Sequence, residues 1–304
     1  MFTLNQALNS VAFWDKNDGW IDINLPQAIQ ITGQLSTQRL YDDVMLSMSK
    51  DTAHHTPAHT VTIGIDEVGR GPLYGSVVVA GAILPDAWSD EISQAPLTDT
   101  ALSGLTDSKK ISEKKREMLF PLIQQYSIGY VLVEIPASVI DTLNIFQATM
   151  TAMRLCAETL ITALVTVSKQ DGQGNIGAVN SNKIADKLPL KCQLLIDGNK
   201  LPEFDWLRLG RQVDLSEIQI MAEAWVKGDG RHSSMAAASV LAKVARDRQV
   251  VADAQMYPQY QLEKHKGYPT KAHLAAIAEH GVLPQHRRSF APVKNALDML
   301  GAVD

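Results

Sequence analysis

The 304-residue chain has only two cysteines, Cys156 and Cys192, and neither lies in a C-x-x-C pair. That spacing excludes a zinc knuckle or a dithiol redox motif, and two buried thiols are the simplest expectation. Long hydrophobic runs are lacking too. The longest, Val77 to Leu84, is far below the roughly 20 apolar residues that cross a bilayer, so no membrane association is expected. No charged segment followed by an apolar stretch opens the chain, so the expected location is cytoplasmic. The last residues, Asn295 to Asp304, lack the glutamine and paired aromatics of a sliding-clamp peptide. A dinucleotide fingerprint is missing as well. Gly69-Arg70-Gly71 is followed by Pro72 and a strand rather than by a helix.

Net charge is −5, which by itself disfavours a polyanionic partner, but the charges are unevenly placed. Residues 227–294 hold 11 Lys and Arg against 5 Asp and Glu, with five of the eight histidines. A basic segment beside acidic catalytic residues suits an enzyme that grips phosphates while binding metal; a solvated helical surface explains the same counts equally well.

The first 60 residues differ from the rest. They carry scattered apolar residues (Phe13, Trp14, Trp20, Ile21, Ile23) and a short helix near Thr37–Met48. Ser49–Thr60 reads as a linker; its His54, His55 and His59 have no arranged cysteine or acidic partner, so a metal site is not expected there. The division is therefore an N-terminal extension and linker over 1–60, of no assigned role, and a catalytic domain over 61–304 whose C-terminal helices begin near 253.

From Thr60 the patterning sharpens. Val61, Ile63 and Ile65 alternate along a strand ending in Asp66-Glu67, and Ser76 to Leu84 forms an almost wholly apolar second strand. Residues 85–105 read as loop, Ser112 starts a helix, and Ile128–Glu134 is a third strand. Phe146, Met150, Met153, Ala157, Leu160 and Leu164 form one buried helical face. Ser168–Pro189 reads as a polar loop. Short strands then end at Asp197 and just before Lys227-Gly228-Asp229, and a small-residue helix runs from Ser234 to Ala252. Helices are expected around Lys271–His280 and Val293–Leu300. The sum is an α/β chain, a mixed sheet flanked by helices.

Asp66, Glu67, Asp197 and Asp229 each fall at or just past a strand end, where residues distant in sequence converge. Crowded carboxylates repel unless a cation neutralises them, and an all-oxygen set suits Mg²⁺ or Mn²⁺. Surface or capping duty is the bland alternative for any one of them. The glycines of Gly69-Arg70-Gly71 allow close backbone approach to a phosphate or sugar, and Arg70 adds a forked donor; a tight turn is the plainer reading. Thr106-Asp107-Ser108-Lys109-Lys110 has the look of a phosphate contact or of loop solvation. Tyr268, among His265, Lys266 and Lys271, is placed to stack on a sugar or base, or simply to pack.

Together these segments resemble the bacterial ribonuclease HII family. The matching pieces are GIDEVGRGPLYGSVVVAGAIL, LTDSKKIS, LNIFQATMTAMR, LIDGN, VKGDGRHSSMAAASVLAKVARDR and YPQYQLEKHKGYPTKAHL, in the family's order. The resemblance implies a ribonuclease H-like fold, a five-stranded mixed sheet flanked by helices with a helical C-terminal part. It implies hydrolysis of the RNA strand of RNA·DNA hybrids and cutting 5′ to single ribonucleotides in duplex DNA, leaving 3′-hydroxyl and 5′-phosphate ends. Asp66, Glu67, Asp197 and Asp229 match the positions that bind two Mn²⁺ or Mg²⁺ ions. Gly69, Arg70 and Gly71 match the loop that senses the 2′-hydroxyl, Tyr268 the tyrosine that stacks on the neighbouring deoxyribose, and Lys109 a phosphate contact. A monomer is expected. The sister ribonuclease HIII family also carries an N-terminal extension but lacks an arginine corresponding to Arg70 and prefers longer RNA stretches; a non-catalytic nucleic-acid binder would not need four carboxylates.

Overall fold

A computed structural model describes residues 1–50, 59–170, 190–216 and 218–301. In chain order the elements are β1 (Phe2–Asp15), β2 (Gly19–Leu35), α1 (Thr37–Lys50), β3 (Thr60–Val68), β4 (Val77–Ile83), α2 (Glu113–Tyr126), β5 (Gly129–Ile135), α3 (Ala137–Leu143) and α4 (Ile145–Gln170). Then come β6 (Leu190–Asp197), α5 (Trp206–Gln212), β7 (Ile218–Trp225), α6 (Ser233–Met256), α7 (Leu262–His265), α8 (Lys271–His280) and α9 (Ala291–Gly301). The strands form one mixed sheet in the order β1-β2-β5-β4-β3-β6-β7. Pairing is antiparallel from β1 to β3 and parallel across β3, β6 and β7.

The sheet has seven strands where five were expected, and the two extra ones come from the N-terminal region. Asp15 Oδ1 accepts the amides of Asn17 (2.8 Å) and Asp18 (3.3 Å), and Gly19 takes φ +76°, closing a hairpin between β1 and β2. β2 then pairs with β5 from Gln30↔Glu134 to Leu35↔Gly129. Leu4, Val11, Ile29, Ile31 and Leu35 are buried in the same core as β3–β5 and α4. Residues 2–35 are thus sheet rather than scattered apolar chain. The expected helix is α1. Of the three linker histidines, His54 and His55 lie outside the described residues, while His59 is buried with Nε2 3.2 Å from Asp43 Oδ2. The polar loop over 168–189 falls mostly outside them as well, α4 running on to Gln170.

Helices cover both faces of the sheet, which is why β4 (VVVAGAI) is buried at every position. On one face α4 packs Met153, Cys156, Ala157, Leu160 and Leu164 against Ile63, Ile65, Val79 and Val133. The segment Ile145–Ser168 is long and apolar enough to cross a membrane by composition, but it is the buried central helix of this core. Cys156 and Cys192 are buried free thiols. On the other face α6 lays Ala236, Ala237, Val240 and Leu241 against Val78, Ala80 and Ala82. The approach is close because Gly64 has no side chain: a Cβ there would stand 2.3 Å from the Ser234 carbonyl carbon. A third apolar cluster joins Leu73 and Tyr74, from the turn after β3, to Val250, Tyr260, Leu262, Ile277 and Val293 of the C-terminal helices.

Candidate active site

Strand register brings the acidic residues together. β3 and β6 run parallel with Ile65 opposite Ile196, so Asp66-Glu67 and Asp197 leave adjacent strands at the same level. Asp66, Glu67 and Asp197 each offer a carboxylate oxygen, and these atoms all lie within 4.8 Å of one another. Asp197 Oδ1 accepts the Gly228 amide at 2.7 Å, which ties down the turn carrying Asp229. Lys227 makes that turn possible by adopting φ +58°. Asp229 is buried beside the trio but is not among the three whose oxygens meet that spacing.

The electrostatics follow from this crowding. Burial first, then Glu67, Asp197 and Asp229, push the Asp66 carboxyl well above its usual range, against a lowering hydrogen bond from Ser239. Burial also raises Glu67, opposed by the Arg70 guanidinium and reinforced by Asp197. Asp229 is raised by burial too, with Lys109 opposing and Asp107 and Asp197 adding to it. Around Lys109, desolvation favours the neutral amine, but the fields of Asp229, Asp66, Asp107 and Asp197 together outweigh it and raise its pKa.

Two buried oxygens, Glu67 Oε2 and Asp229 Oδ2, have no hydrogen-bond partner. Two cationic side chains reach towards the cluster: Arg70 Nη1 lies 3.3 Å from Glu67 Oε1, and the exposed Lys109 places Nζ 3.7 Å from Asp229 Oδ2. Unpartnered buried carboxylate oxygens with flexible cations leaning in from solvent are what a hard divalent cation would fit.

The remaining sequence candidates converge on the same side. Gly69 takes φ +93° directly after β3, and the exposed Tyr268 ring stands 3.5 Å from where a Cβ on Gly71 would lie. The 69–71 turn, the carboxylates, Lys109 and Tyr268 therefore form one continuous surface. Two residues of it, Ser239 and Asp107, lay inside motifs of the sequence but were assigned no role at the carboxylates. Ser239, counted there only as a small packing residue, hydrogen-bonds Asp66 and sits 2.7 Å from Ser108 Oγ. Asp107 accepts the Lys109 amide at 2.9 Å and faces Gly230. Both lie within the LTDSKK and small-residue motifs, but nothing in their local pattern shows that they face the carboxylates.

A mixed sheet between helices, with carboxylates gathered at adjacent strand ends, defines the class: a ribonuclease H-like α/β protein with a candidate divalent-metal centre. The Pyrococcus horikoshii ribonuclease H2 crystal structure shares this fold, with TM-score 0.50 at 20% identity over 79% of this chain and 99% of that one. The family profile described as Ribonuclease HII matches residues 63–293. Similar curated proteins include ribonuclease HII of Psychrobacter arcticus, 48% identical over 91% of this chain and 90% of that protein. Ribonuclease HII of Neisseria meningitidis serogroup C is 41% identical over 79% of this chain and 96% of its own. The chain belongs to the ribonuclease HII family and is a ribonuclease H, a hydrolase of RNA·DNA hybrids.

Proposed function

We propose that this protein cuts on the 5′ side of single ribonucleotides embedded in duplex DNA, as well as within RNA·DNA hybrids, leaving 3′-hydroxyl and 5′-phosphate ends. The observation that carries this reading is the junction of an anionic cluster with a glycine-rich turn and an exposed tyrosine on one surface. Asp66, Glu67 and Asp197, with Asp229 beside them, would hold two Mn²⁺ or Mg²⁺ ions, which when bound activate a water and neutralise the leaving oxygen.

The chain's own groups do the rest. Only the 2′-hydroxyl distinguishes ribose from deoxyribose, and amides of the Gly69-Arg70-Gly71 turn can bond it without reading the base. The Tyr268 ring, stacked on the next sugar, crowds a 2′-oxygen and so favours deoxyribose there. Lys109 and Arg70, freed from their carboxylates when cations bind, are free to turn to phosphate oxygens. Cationic groups of the C-terminal region position the backbone without sequence preference. Monomeric action suffices for this chemistry.

The test is incubation of a DNA duplex holding one ribonucleotide with the protein and Mn²⁺ or Mg²⁺. One cut 5′ to the ribonucleotide is expected, abolished by EDTA or by Asp66→Asn. Binding without cutting would overturn the catalytic reading. Cutting confined to runs of ribonucleotides would overturn recognition of the single junction.

A further inference from the structure

Two arginines outside the proposed chemistry lie wholly inside the protein: Arg246 of α6 and Arg287, just before α9, are each 0% exposed. A buried guanidinium is unfavourable unless its N–H groups find acceptors, and carboxylates are the usual ones. These two are bonded mainly to backbone carbonyls of the turn that follows β3. Arg287 donates from Nε to Gly75 O (2.9 Å), from Nη1 to Arg70 O (3.0 Å) and from Nη2 to Gly69 O (2.5 Å). Arg246 donates from Nε to Ser76 O (3.3 Å) and from Nη2 to both Tyr74 O (3.1 Å) and Lys266 O (3.0 Å). Asp247 Oδ1 stands 3.9 Å from Arg246 Nη1, which has no hydrogen-bond partner.

The geometry of the peptide bond gives these contacts a consequence. In a trans peptide the C=O of one residue and the N–H of the next point in opposite directions. With the carbonyls of Gly69 and Arg70 drawn inward to Arg287, the amides of Arg70 and Gly71 turn away from it, and the Tyr268 ring stands 3.5 Å from where a Cβ on Gly71 would lie. Gly69 is glycine for the same reason: a Cβ there would lie 2.5 Å from Arg246 Nε. Arg246 also bridges the turn to the segment bearing Tyr268, through Lys266 O, while the Leu73 amide donates to Gly267 O at 2.8 Å.

A chain of histidines closes the far side. The Leu283 amide donates to His286 Nδ1 (2.8 Å), His286 Nε2 lies 3.0 Å from His273 Nε2, and His273 Nδ1 lies 3.0 Å from Tyr268 O. Since His286 Nδ1 accepts, the neutral ring carries its proton on Nε2 and donates it to His273. His273 in turn donates from Nδ1 to the Tyr268 carbonyl.

We infer that Arg246 and Arg287 are positioning residues that aim the Arg70 and Gly71 amides and hold Tyr268 beside them, and so set which sugars are accepted at the cut. This rests on the reading of the 69–71 turn as the ribose sensor. The experiment compares wild type, Arg287→Met, Arg287→Lys and Arg246→Lys on two duplexes, one with a lone ribonucleotide and one with a run of four, together with Mn²⁺ titration of each protein. A run offers several registers and further 2′-hydroxyls, whereas a lone ribonucleotide offers a single junction. In Arg287→Met the ratio of kcat/KM for the lone ribonucleotide to that for the run falls by about tenfold or more, with Mn²⁺ affinity within about twofold of wild type. The lysine variants, which keep one of the lost bonds, fall in between and decide the matter if the methionine variant does not fold. A merely structural role lowers the active fraction, and so both rates together; an unchanged ratio in the folded variants overturns the arginine assignment alone. Wild-type protein that leaves the lone ribonucleotide uncut overturns the ribose-sensor reading and the assignment with it.

Discussion

At the ends of β3 and β6 three carboxylates crowd together, while the turn that follows β3 rests on two guanidinium groups buried among backbone carbonyls. Both arrangements leave like charges close and partly unpartnered: Glu67 Oε2 on one side, Arg246 Nη1 on the other. Burial pushes Asp66 upward, and it pushes Arg287 down to about 9, with the Arg246 charge adding to the shift. Neither half is organised for stability alone. The difference lies in what completes them. The anionic half is largely buried but bordered by the exposed Arg70 and Lys109 side chains, which an incoming cation would displace. The cationic half is sealed, and its charge acts only through the turn it orients.

The largest effect is expected at Asp66. Asp66→Asn is expected to lower cleavage by on the order of 10³-fold while stabilising the metal-free protein. The sign follows from the raised carboxyls. A folded-state pKa above the ordinary 3.8 or 4.5 contributes stability that is complete at low pH and is lost as pH rises through the raised value. Thermal melts in EDTA should therefore show the advantage of Asp66→Asn growing from pH 4 to pH 8; a constant difference would show that the carboxylates do not repel. Next in size is Arg70→Ala, expected to slow lone-ribonucleotide cleavage by roughly 10–100-fold through one charge-assisted contact. Equal rates in steady-state assays would remove Arg70 from recognition.

Ile31→Ala, away from both halves, should cost about 2–4 kcal/mol in urea unfolding, because Ile31 is 1% exposed in the central core. It should leave the lone-to-run cleavage ratio unchanged, and a shifted ratio would tie the N-terminal hairpin to recognition. The smallest effect is expected at His286. Burial and His273 hold it down to about 3, and burial holds His273 down to about 4. Such lowered values contribute stability present above pH 6.5 and lost as pH falls towards them. His286→Gln should flatten part of that acid-side loss between pH 6.5 and 4, with near wild-type cleavage at neutral pH. An unaltered slope would show that the pair is not neutral in the fold.

How much of this was legible in the sequence divides along the same line. The anionic half was visible because an alternating strand (Val61, Ile63, Ile65) and a short apolar one (Leu194–Ile196) both end in acidic residues, so Asp66, Glu67 and Asp197 are marked by local pattern. The cationic half was hidden by counting charge without direction. Arg246 and Arg287 entered the basic excess of residues 227–294, read as phosphate grip or as solvated surface, yet both point inward, and His232, His273 and His286 are buried too. A charge count cannot tell a guanidinium facing solvent from one bonded to carbonyls some 170–220 residues earlier in the chain. The hairpin was missed for a different reason. A bulge between Leu8 and Ser10 breaks the alternation of β1, and only the Asp18-Gly19 dipeptide signalled a turn. The fold of the catalytic core was readable, the sheet edge was not.

The most direct test of the account is Mn²⁺ titration calorimetry of Asp66→Asn and Arg70→Ala beside the wild type. If the two halves are distinct, Asp66→Asn loses Mn²⁺ binding. Arg70→Ala binds it as tightly as wild type or more so, since Arg70 competes for Glu67 at 3.3 Å in the metal-free protein. Loss of Mn²⁺ binding in Arg70→Ala, or its retention in Asp66→Asn, would contradict the account.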